Sequence, residues 1–138
     1  MKRYEQISHT ADLAAKVYGK DLAELFENAA FAMMDMSAEL EGLRKEEKRQ
    51  IELDSAGKED LLIDWLNEVL YTSVSEKILF LEFRVNSIED DKLAAEIIGQ
   101  SVGDDTDRIN IEIKAATYHE IKIEENASGY EVTVVFDV

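Results

Sequence analysis

Apolar residues recur every three or four positions in two stretches of the chain, and this spacing predicts two amphipathic helices. The first helix is predicted over residues 21–36, where Asp21 and Glu24 have the three-residue spacing of a capping box. The second is predicted over residues 59–73, with Trp65 on its apolar stripe. Each helix is therefore expected to bury one face against the rest of the protein.

The remaining segments alternate apolar and polar residues with period two, which is typical of strands buried on one side. The predicted strands cover residues 79–85, 109–115 and 132–136, with weaker candidates at 3–7, 13–18, 49–53, 93–98 and 118–124. Because strands and helices do not alternate regularly, a doubly wound parallel sheet is disfavoured. The pattern predicts an α+β fold over residues 1–138, a single two-layer domain in which two helices pack on one face of a largely antiparallel or mixed sheet.

Composition excludes several classes of function. The 138 residues include 15 Lys and Arg against 31 Asp and Glu, a formal charge of −16, which would repel the phosphates of nucleic acid. Direct tight binding to RNA or DNA is therefore not expected. Cysteine is absent, which removes disulfides, thiol nucleophiles and Cys-ligated metals. Without an apolar stretch of signal-peptide or membrane-span length, we expect a cytoplasmic protein with no membrane partner.

The common phosphate-binding and hydrolase motifs are missing. Gly57-Lys58 lacks the upstream glycine of a P-loop, and Gly99 and Gly103 lack the third glycine of a dinucleotide fingerprint. No Gly-x-Ser-x-Gly elbow occurs. The acidic run at residues 104–107 lacks the glycine and the terminal Glu of a calcium loop, so a solvated turn is the plainer interpretation.

Oxygen-rich groups remain as candidate cation ligands. With two histidines and no cysteine, a hard cation is favoured over zinc. Asp137 and the terminal carboxylate of Val138 are adjacent at the end of an apolar alternation. A third carboxylate beside them would favour bound Ca²⁺ or Mg²⁺, whereas without one these acids are simply solvated.

Two polar segments lie where the strand pattern breaks. Residues 8–12 bring His9 and Asp12 together after the first strand, where short polar side chains commonly bond the local backbone of a turn. Residues 114–119 place small residues between Lys114 and His119, a pattern that a bulge or a hairpin bend explains.

Five groups of residues, taken in order and spacing, resemble the archease family over nearly the whole chain. They are His9-Thr10-Ala11-Asp12 with Tyr18-Gly19, Leu25-Phe26 with Ala29-Ala30, Trp65-Leu66-Asn67-Glu68 with Leu70-Tyr71, Glu112-Ile113-Lys114-Ala115 with Thr117-Tyr118-His119, and Asp137 followed by Val138. The resemblance implies a small α+β protein that assists the RNA ligase joining 3′-phosphate or 2′,3′-cyclic phosphate ends to 5′-hydroxyl ends in tRNA splicing. Such a protein promotes guanylylation and multiple turnover of the ligase and does not itself ligate.

The resemblance also implies roles for particular residues. The family's divalent-cation site corresponds to Asp12, Asp137 and the terminal carboxylate of Val138, with His9 nearby. Lys114 corresponds to a basic residue that contacts the ligase or its bound nucleotide. Acidic residues on the second helix are expected to complement positive charge on the ligase, although a solvated helix face explains them equally well. These are Glu59, Asp64 and Glu68.

The chain departs from the family pattern at three places. Gln100 follows Gly99 where many relatives have Glu, the segment after Gly99 matches poorly, and an acidic position expected before the second helix falls near Gly57. These departures put in doubt any role for the Gly99 turn or for the start of the second helix, but they leave the carboxylate cluster intact.

The sequence leaves three functions open. The first is a protein that activates an RNA ligase and has no catalysis of its own. The second is a general chaperone or modulator of RNA-processing enzymes, with many partners and little dependence on Asp12. The third is a metal-dependent hydrolase built on the carboxylates, with His9 or His119 as general base.

Overall fold

Ten helices and strands make up the described part of the chain. The computed structural model describes residues 2–138 except Thr10 and Ala11, and of His9 it describes the backbone only. In chain order the elements are β1 (Tyr4–His9), β2 (Asp12–Gly19), α1 (Leu22–Ser37), β3 (Glu47–Asp54), α2 (Lys58–Glu76), β4 (Ile78–Ile88), β5 (Lys92–Ser101), β6 (Ala115–Ala116), β7 (Glu124–Asn126) and β8 (Gly129–Asp137).

The strands form two antiparallel sheets. The five-stranded sheet has the order β1-β2-β8-β6, with β7 also paired to β8, and the three-stranded sheet has the order β3-β5-β4. Every strand pairing between described residues is antiparallel. Helix α1 contacts β2 of the first sheet and β4 of the second, and α2 contacts β6 and β4 in the same way. The predicted α+β domain is confirmed, with the difference that two sheets replace the single expected sheet.

Helix α1 begins as its sequence predicts. Asp21 is the N-cap residue, and its Oδ1 accepts a 2.8 Å hydrogen bond from the Glu24 N–H. The Glu24 carboxylate accepts a 3.0 Å hydrogen bond from the N–H of Lys20. In a standard capping box the donor would be the N–H of the N-cap residue itself, Asp21, one position later. Two amide groups are thereby satisfied at the helix start.

The core lies between the helices and the two sheets. Trp65 of α2 is fully buried, and its indole N–H donates a 2.9 Å hydrogen bond to the Phe26 carbonyl of α1. Met33 and Met34 are also buried, so the methionines of α1 belong to the core. In the described part of the chain, no helix is long and apolar enough to cross a membrane.

The strand predicted over residues 109–115 is wrong. Only Ala115 and Ala116 form a strand there, and the preceding backbone is irregular. The N–H groups of Asn110 and Ile111 donate to the Ser37 carbonyl at the end of α1, at 2.8 and 3.1 Å. The alternation arises because an extended segment covers the edge of the core and buries Ile113, without forming a ladder with a neighbouring strand.

The strand predicted over residues 118–124 is also largely wrong. Only its last residue lies in β7, and residues 118–123 form a turn followed by irregular backbone. Ile123 is nevertheless buried in the core. The apolar positions of this segment therefore cover the core without a strand partner.

Close contact between β4 and β5 requires a glycine at position 99. It lies in β5 opposite Phe80 of β4, where the register between the two strands shifts. A Cβ atom at this position would lie 2.0 Å from the carbonyl oxygen of Leu79, so only glycine fits. The side chain of Gln100 accepts a hydrogen bond from the Arg44 N–H at 2.7 Å. Gly99 and Gln100 thus both stabilise the local fold, although Gln100 departs from the family pattern.

Candidate functional site

Strand register brings the predicted site residues to one end of the five-stranded sheet. His9 of β1 pairs with Asp12 of β2, and Ala115 of β6 pairs with Asp137 of β8. The β2–β8 pairing runs from Gly19 to Leu13 opposite Phe136, so its next step sets Asp12 opposite Asp137. His9, Asp12, Asp137 and Ala115 therefore form one row across four strands, which we call the terminal row. Residues more than a hundred positions apart in the chain are neighbours in this row.

The two carboxylates of the terminal row share one face of the sheet. Leu13 and Phe136, the preceding pair, both point into the core, so Asp12 and Asp137 point to the opposite face. Opposed residues on antiparallel strands have Cβ atoms about 5 Å apart. Asp12 is half-buried, whereas Asp137 is exposed. The register therefore directs both carboxylates to the same side of the sheet.

The backbone of Lys114 lies next to that of Asp137. Its backbone N–H donates a 2.8 Å hydrogen bond to the Asp137 carbonyl. Its side chain is exposed, and among the described residues the ammonium forms no ion pair or hydrogen bond. The Lys114 ammonium is therefore available to an anionic group of a partner or of a nucleotide.

Asn67 holds the segment that carries Lys114, a role that the sequence patterns did not identify. Its side-chain Oδ1 accepts a hydrogen bond from the Ala116 N–H at 2.8 Å, and its Nδ2 donates to the Ala116 carbonyl at 3.2 Å. This double contact fastens β6 to α2 as a further strand would. The sequence signal for it was the place of Asn67 in the Trp65-Leu66-Asn67-Glu68 group, which did not indicate what the amide contacts.

The acidic residues proposed on α2 have different surroundings. The Glu59 carboxylate accepts a 2.9 Å hydrogen bond from the Ile123 N–H, and Asp64 accepts a 2.5 Å bond from the Ser55 hydroxyl. Both interactions stabilise the fold by themselves. The Glu68 side chain is half-buried and has no hydrogen bond with the described residues. Of the three, Glu68 has the fewest contacts within the protein and is the most available to a partner.

Gly57, where the family pattern led us to expect an acidic residue, is the N-cap residue of α2. Because glycine has no side chain, it cannot cap the helix with a side-chain hydrogen bond. Acidic side chains in the first turn, Glu59 and Asp60, complement the positive end of the helix dipole instead. The start of α2 is thus stabilised by charge one turn further on.

His119, the alternative general base, lies three residues after the end of β6. It is exposed and lines a concave region of about 440 Å³ on the outer face of the five-stranded sheet, together with Lys16, Lys122 and Glu131. A hydrogen bond from Lys16 to the Glu131 carboxylate raises the pKa of that ammonium, and their atoms are 3.1 Å apart. The side chain of His9, the other candidate base, lies outside the described residues, as do Thr10 and Ala11 of the same turn.

A cation site at the terminal row would need the C-terminal carboxylate of Val138 in addition to the two aspartate side chains. Among the described side chains, no three His, Asp or Glu residues converge to hold a metal ion. Asp12 and Asp137 supply two carboxylates on one face, and the exposed Val138 follows Asp137 directly. A terminal carboxylate at Val138 would supply the third oxygen donor group. All three donors are oxygen groups, as Ca²⁺ and Mg²⁺ prefer.

Comparison with known proteins finds relatives that match nearly the whole chain. The model of the Archease protein family (MTH1598/TM1083) matches residues 4–138. A protein archease of Methanosarcina barkeri is 38% identical over 141 aligned positions, which cover 99% of this chain and 97% of the relative. The chain therefore belongs to the archease family.

Solved structures give the same result at the level of the backbone. The solution structure of protein 1598 of Methanobacterium thermoautotrophicum superposes with a TM-score of 0.83 at 32% identity, with all of both chains covered. The crystal structure of an archease from Thermotoga maritima, described as a possible chaperone, has a TM-score of 0.64 at 24% identity over 97% of this chain and 96% of the other. This second likeness supports the fold alone.

Proposed function

We propose that this protein is an accessory activator of the RNA ligase that joins 3′-phosphate or 2′,3′-cyclic phosphate ends to 5′-hydroxyl ends in tRNA splicing. It would promote guanylylation of the ligase and multiple turnover, and it would have no ligase activity of its own. The observation that carries the proposal is the terminal row, in which the register directs Asp12 and Asp137 to one face of the sheet and the Lys114 backbone bonds to Asp137. Membership of the archease family supports it.

A divalent cation, Ca²⁺ or Mg²⁺, is part of the proposal. Asp12, Asp137 and the terminal carboxylate of Val138 would hold it. When bound, the cation would neutralise the carboxylates and offer a positive charge to phosphate oxygens. His9 stands next to Asp12 in register and would help to set the local charge.

The protein's own residues would engage the ligase around this site. Lys114 would meet a carboxylate of the ligase or a phosphate of its bound nucleotide. Glu68, with Asp64 and Glu59 further along α2, would face positive charge on the ligase and speed the encounter. The charge of −16 disfavours direct binding of RNA, and we expect the protein to act in the cytoplasm.

The first prediction concerns Asp12. Multiple-turnover joining of a 3′-phosphate RNA is measured with limiting ligase from the same organism, GTP and Mg²⁺ or Ca²⁺, with and without this protein. We expect stimulation by the wild-type protein and a loss of about tenfold or more in Asp12→Asn, because one carboxylate charge leaves the cation site. The exposed Asp90 lies in the turn after β4 and serves as the matched control, so Asp90→Asn should stimulate normally.

The same assay separates the proposal from its alternatives. A general chaperone or modulator would stimulate equally with Asp12→Asn and would also act on unrelated RNA-processing enzymes. Tyr71 and Val74 favour that second candidate, since both are 68% exposed on α2 and offer an apolar contact. A hydrolase would turn over a phosphate ester in the arm that contains no ligase. Either result would contradict the activator proposal.

A further inference from the structure

A groove runs along the end of α2, away from the terminal row. It lies between the last turns of α2, the start of β4 and the segment of residues 102–112, and it has a volume of about 580 Å³. Val74 is 68% exposed and Ile109 is 41% exposed at its mouth. Ile78, Leu79 and Val102 form its apolar floor. We call this surface the Val74 groove.

Carboxylates dominate the charged side chains that line the Val74 groove. They are Asp104, Asp105 and Glu112, with Lys77 as the one cation among the described lining residues. Lys77 forms an ion pair with Asp104, which offsets its charge. Among the residues that the structure describes, the Asp105 carboxylate accepts a hydrogen bond only from the nearby Asp107 N–H, at 3.0 Å, and Glu112 is exposed. The groove therefore combines an apolar floor with a net negative rim.

This charge decides which molecule the groove suits. Nucleic acids and free phosphates are repelled by a negative rim on a chain of charge −16. A second copy of the chain would bring the same negative charge, so self-association through this face is disfavoured as well. A protein segment with aliphatic side chains flanked by Lys or Arg matches both the floor and the rim.

The groove is close enough to the terminal row for one partner to reach both. Asn67, which holds β6, is seven residues before Val74 on α2, a distance of about 10 Å along the helix. Glu112 of the rim is two residues before Lys114 in the chain. A partner that contacts Lys114 would thus have its surface adjacent to the groove.

We propose that the Val74 groove docks a basic, aliphatic segment of the ligase, separately from the contacts made at the terminal row. This step rests on the proposed function, because it names the ligase as the partner. Docking at the groove contributes to the affinity for the ligase. Asp12, Asp137 and Lys114 instead determine how strongly the bound ligase is stimulated. The two surfaces therefore affect different measured quantities.

The second prediction tests this division with the full-length protein and the ligase of the same organism. Binding is measured by titration calorimetry, and stimulation of multiple-turnover joining is measured over a range of protein concentrations. We expect Val74→Glu to raise the Kd about tenfold or more, because it replaces an apolar contact at the mouth of the groove with a charge that the aliphatic segment would have to desolvate. At saturating concentration this variant should still reach the wild-type stimulated rate, since the terminal row is unchanged.

Two further variants complete the design. Asp105→Asn with Glu112→Gln should raise the Kd several-fold and flatten its dependence on salt, because rim charge is removed without a change of shape. Ser75→Glu adds the same charge as Val74→Glu one residue away on exposed helix surface, outside the groove, and should leave the Kd within about twofold. Circular dichroism of every variant confirms an intact fold.

The outcomes separate the two proposals. Equal Kd values for Val74→Glu, Ser75→Glu and the wild-type protein would overturn the groove proposal while stimulation by the wild-type protein still supported the activator function. Binding of Val74→Glu with wild-type affinity but without stimulation would overturn the division into affinity and action. Absence of any wild-type binding or stimulation would overturn the proposed function, and the docking proposal with it.

Discussion

Glu27 is a carboxylate held half-buried between α1 and β4. Its Oε2 accepts a 2.9 Å hydrogen bond from the Val85 N–H. Burial raises the pKa of Glu27 above its usual value, and this outweighs the lowering by the Val85 N–H and by Arg3. A raised pKa means that the folded state binds the Glu27 proton more tightly than the unfolded state does. The contribution of Glu27 to stability is therefore fully present below its unfolded pKa and is lost as pH rises through its folded pKa.

The third prediction follows from this direction of shift. Glu27→Gln keeps an oxygen that accepts from Val85 but removes the buried charge. Relative to this variant, the wild-type protein should lose free energy of unfolding as pH rises from below the usual glutamate pKa to neutrality. Urea unfolding at a series of pH values from about 4 to about 8 measures the difference. The exposed Glu89→Gln is the control and should show no such trend; a flat difference for Glu27→Gln would contradict the prediction.

At the scale of single elements, β6 is the shortest strand and depends most on its neighbours. It has two residues, paired to Phe136 and Asp137 of β8 on one side. On its other side the only described hydrogen bonds to its backbone from α2 are those of Asn67 with Ala116. The position of Lys114 therefore depends on β8 on one side of β6 and on one amide side chain of α2 on the other.

The fourth prediction tests this dependence. Asn67→Ala should lower the free energy of unfolding by about 1–3 kcal/mol, because the buried Ala116 N–H and carbonyl both lose a partner. It should also reduce ligase stimulation at saturating protein, since the segment that carries Lys114 would then be held by β8 alone. Denaturant unfolding and the joining assay measure the two effects. Ser75→Ala, on the exposed part of the same helix, is the matched control, and an Asn67→Ala variant indistinguishable from it would refute the role of the amide.

Periodicity and capping residues predict both helices to within three residues at each end. Helices are readable in this way because their hydrogen bonds and their apolar stripe are local to the segment. The segment of residues 109–115 shows where such reading fails. Its alternation buries Ile113, but the N–H groups of Asn110 and Ile111 donate to Ser37, and only the end of the segment bonds to β8. A strand requires a partner, and the pattern within one segment does not contain the partner's identity.

At the scale of the whole molecule, the candidate site joins the two ends of the chain. Asp12 lies in the second strand and Asp137 in the last, and β2 and β8 are adjacent in the five-stranded sheet. Closing this long loop costs conformational entropy, which the buried pairs Leu13 with Phe136 and Ala15 with Val134 offset. The site is thus stable only as long as the whole domain is folded.

The fifth prediction concerns the last residue. One alanine added after Val138 would move the terminal carboxylate away from Asp12 and Asp137. We expect the Kd for Ca²⁺ to rise several-fold in this variant, measured by titration calorimetry with the metal alone. An alanine added before Met1 should have no effect. Unchanged Ca²⁺ affinity in the C-terminal extension would reject the terminal carboxylate as a ligand.

The sequence by itself determined the two helices, most of the strands, the acidic surface and the residues that the archease resemblance singled out. These follow from local periodicity, residue counts and motif spacing, all of which are properties of short segments. Only the tertiary structure decided that the strands divide into two sheets, that Leu13 pairs with Phe136 and so brings Asp12 and Asp137 to the same end of the sheet, and that Asn67 holds β6. Strand partners and helix contacts are chosen by burial and hydrogen bonding across the whole chain, and no single segment contains that information.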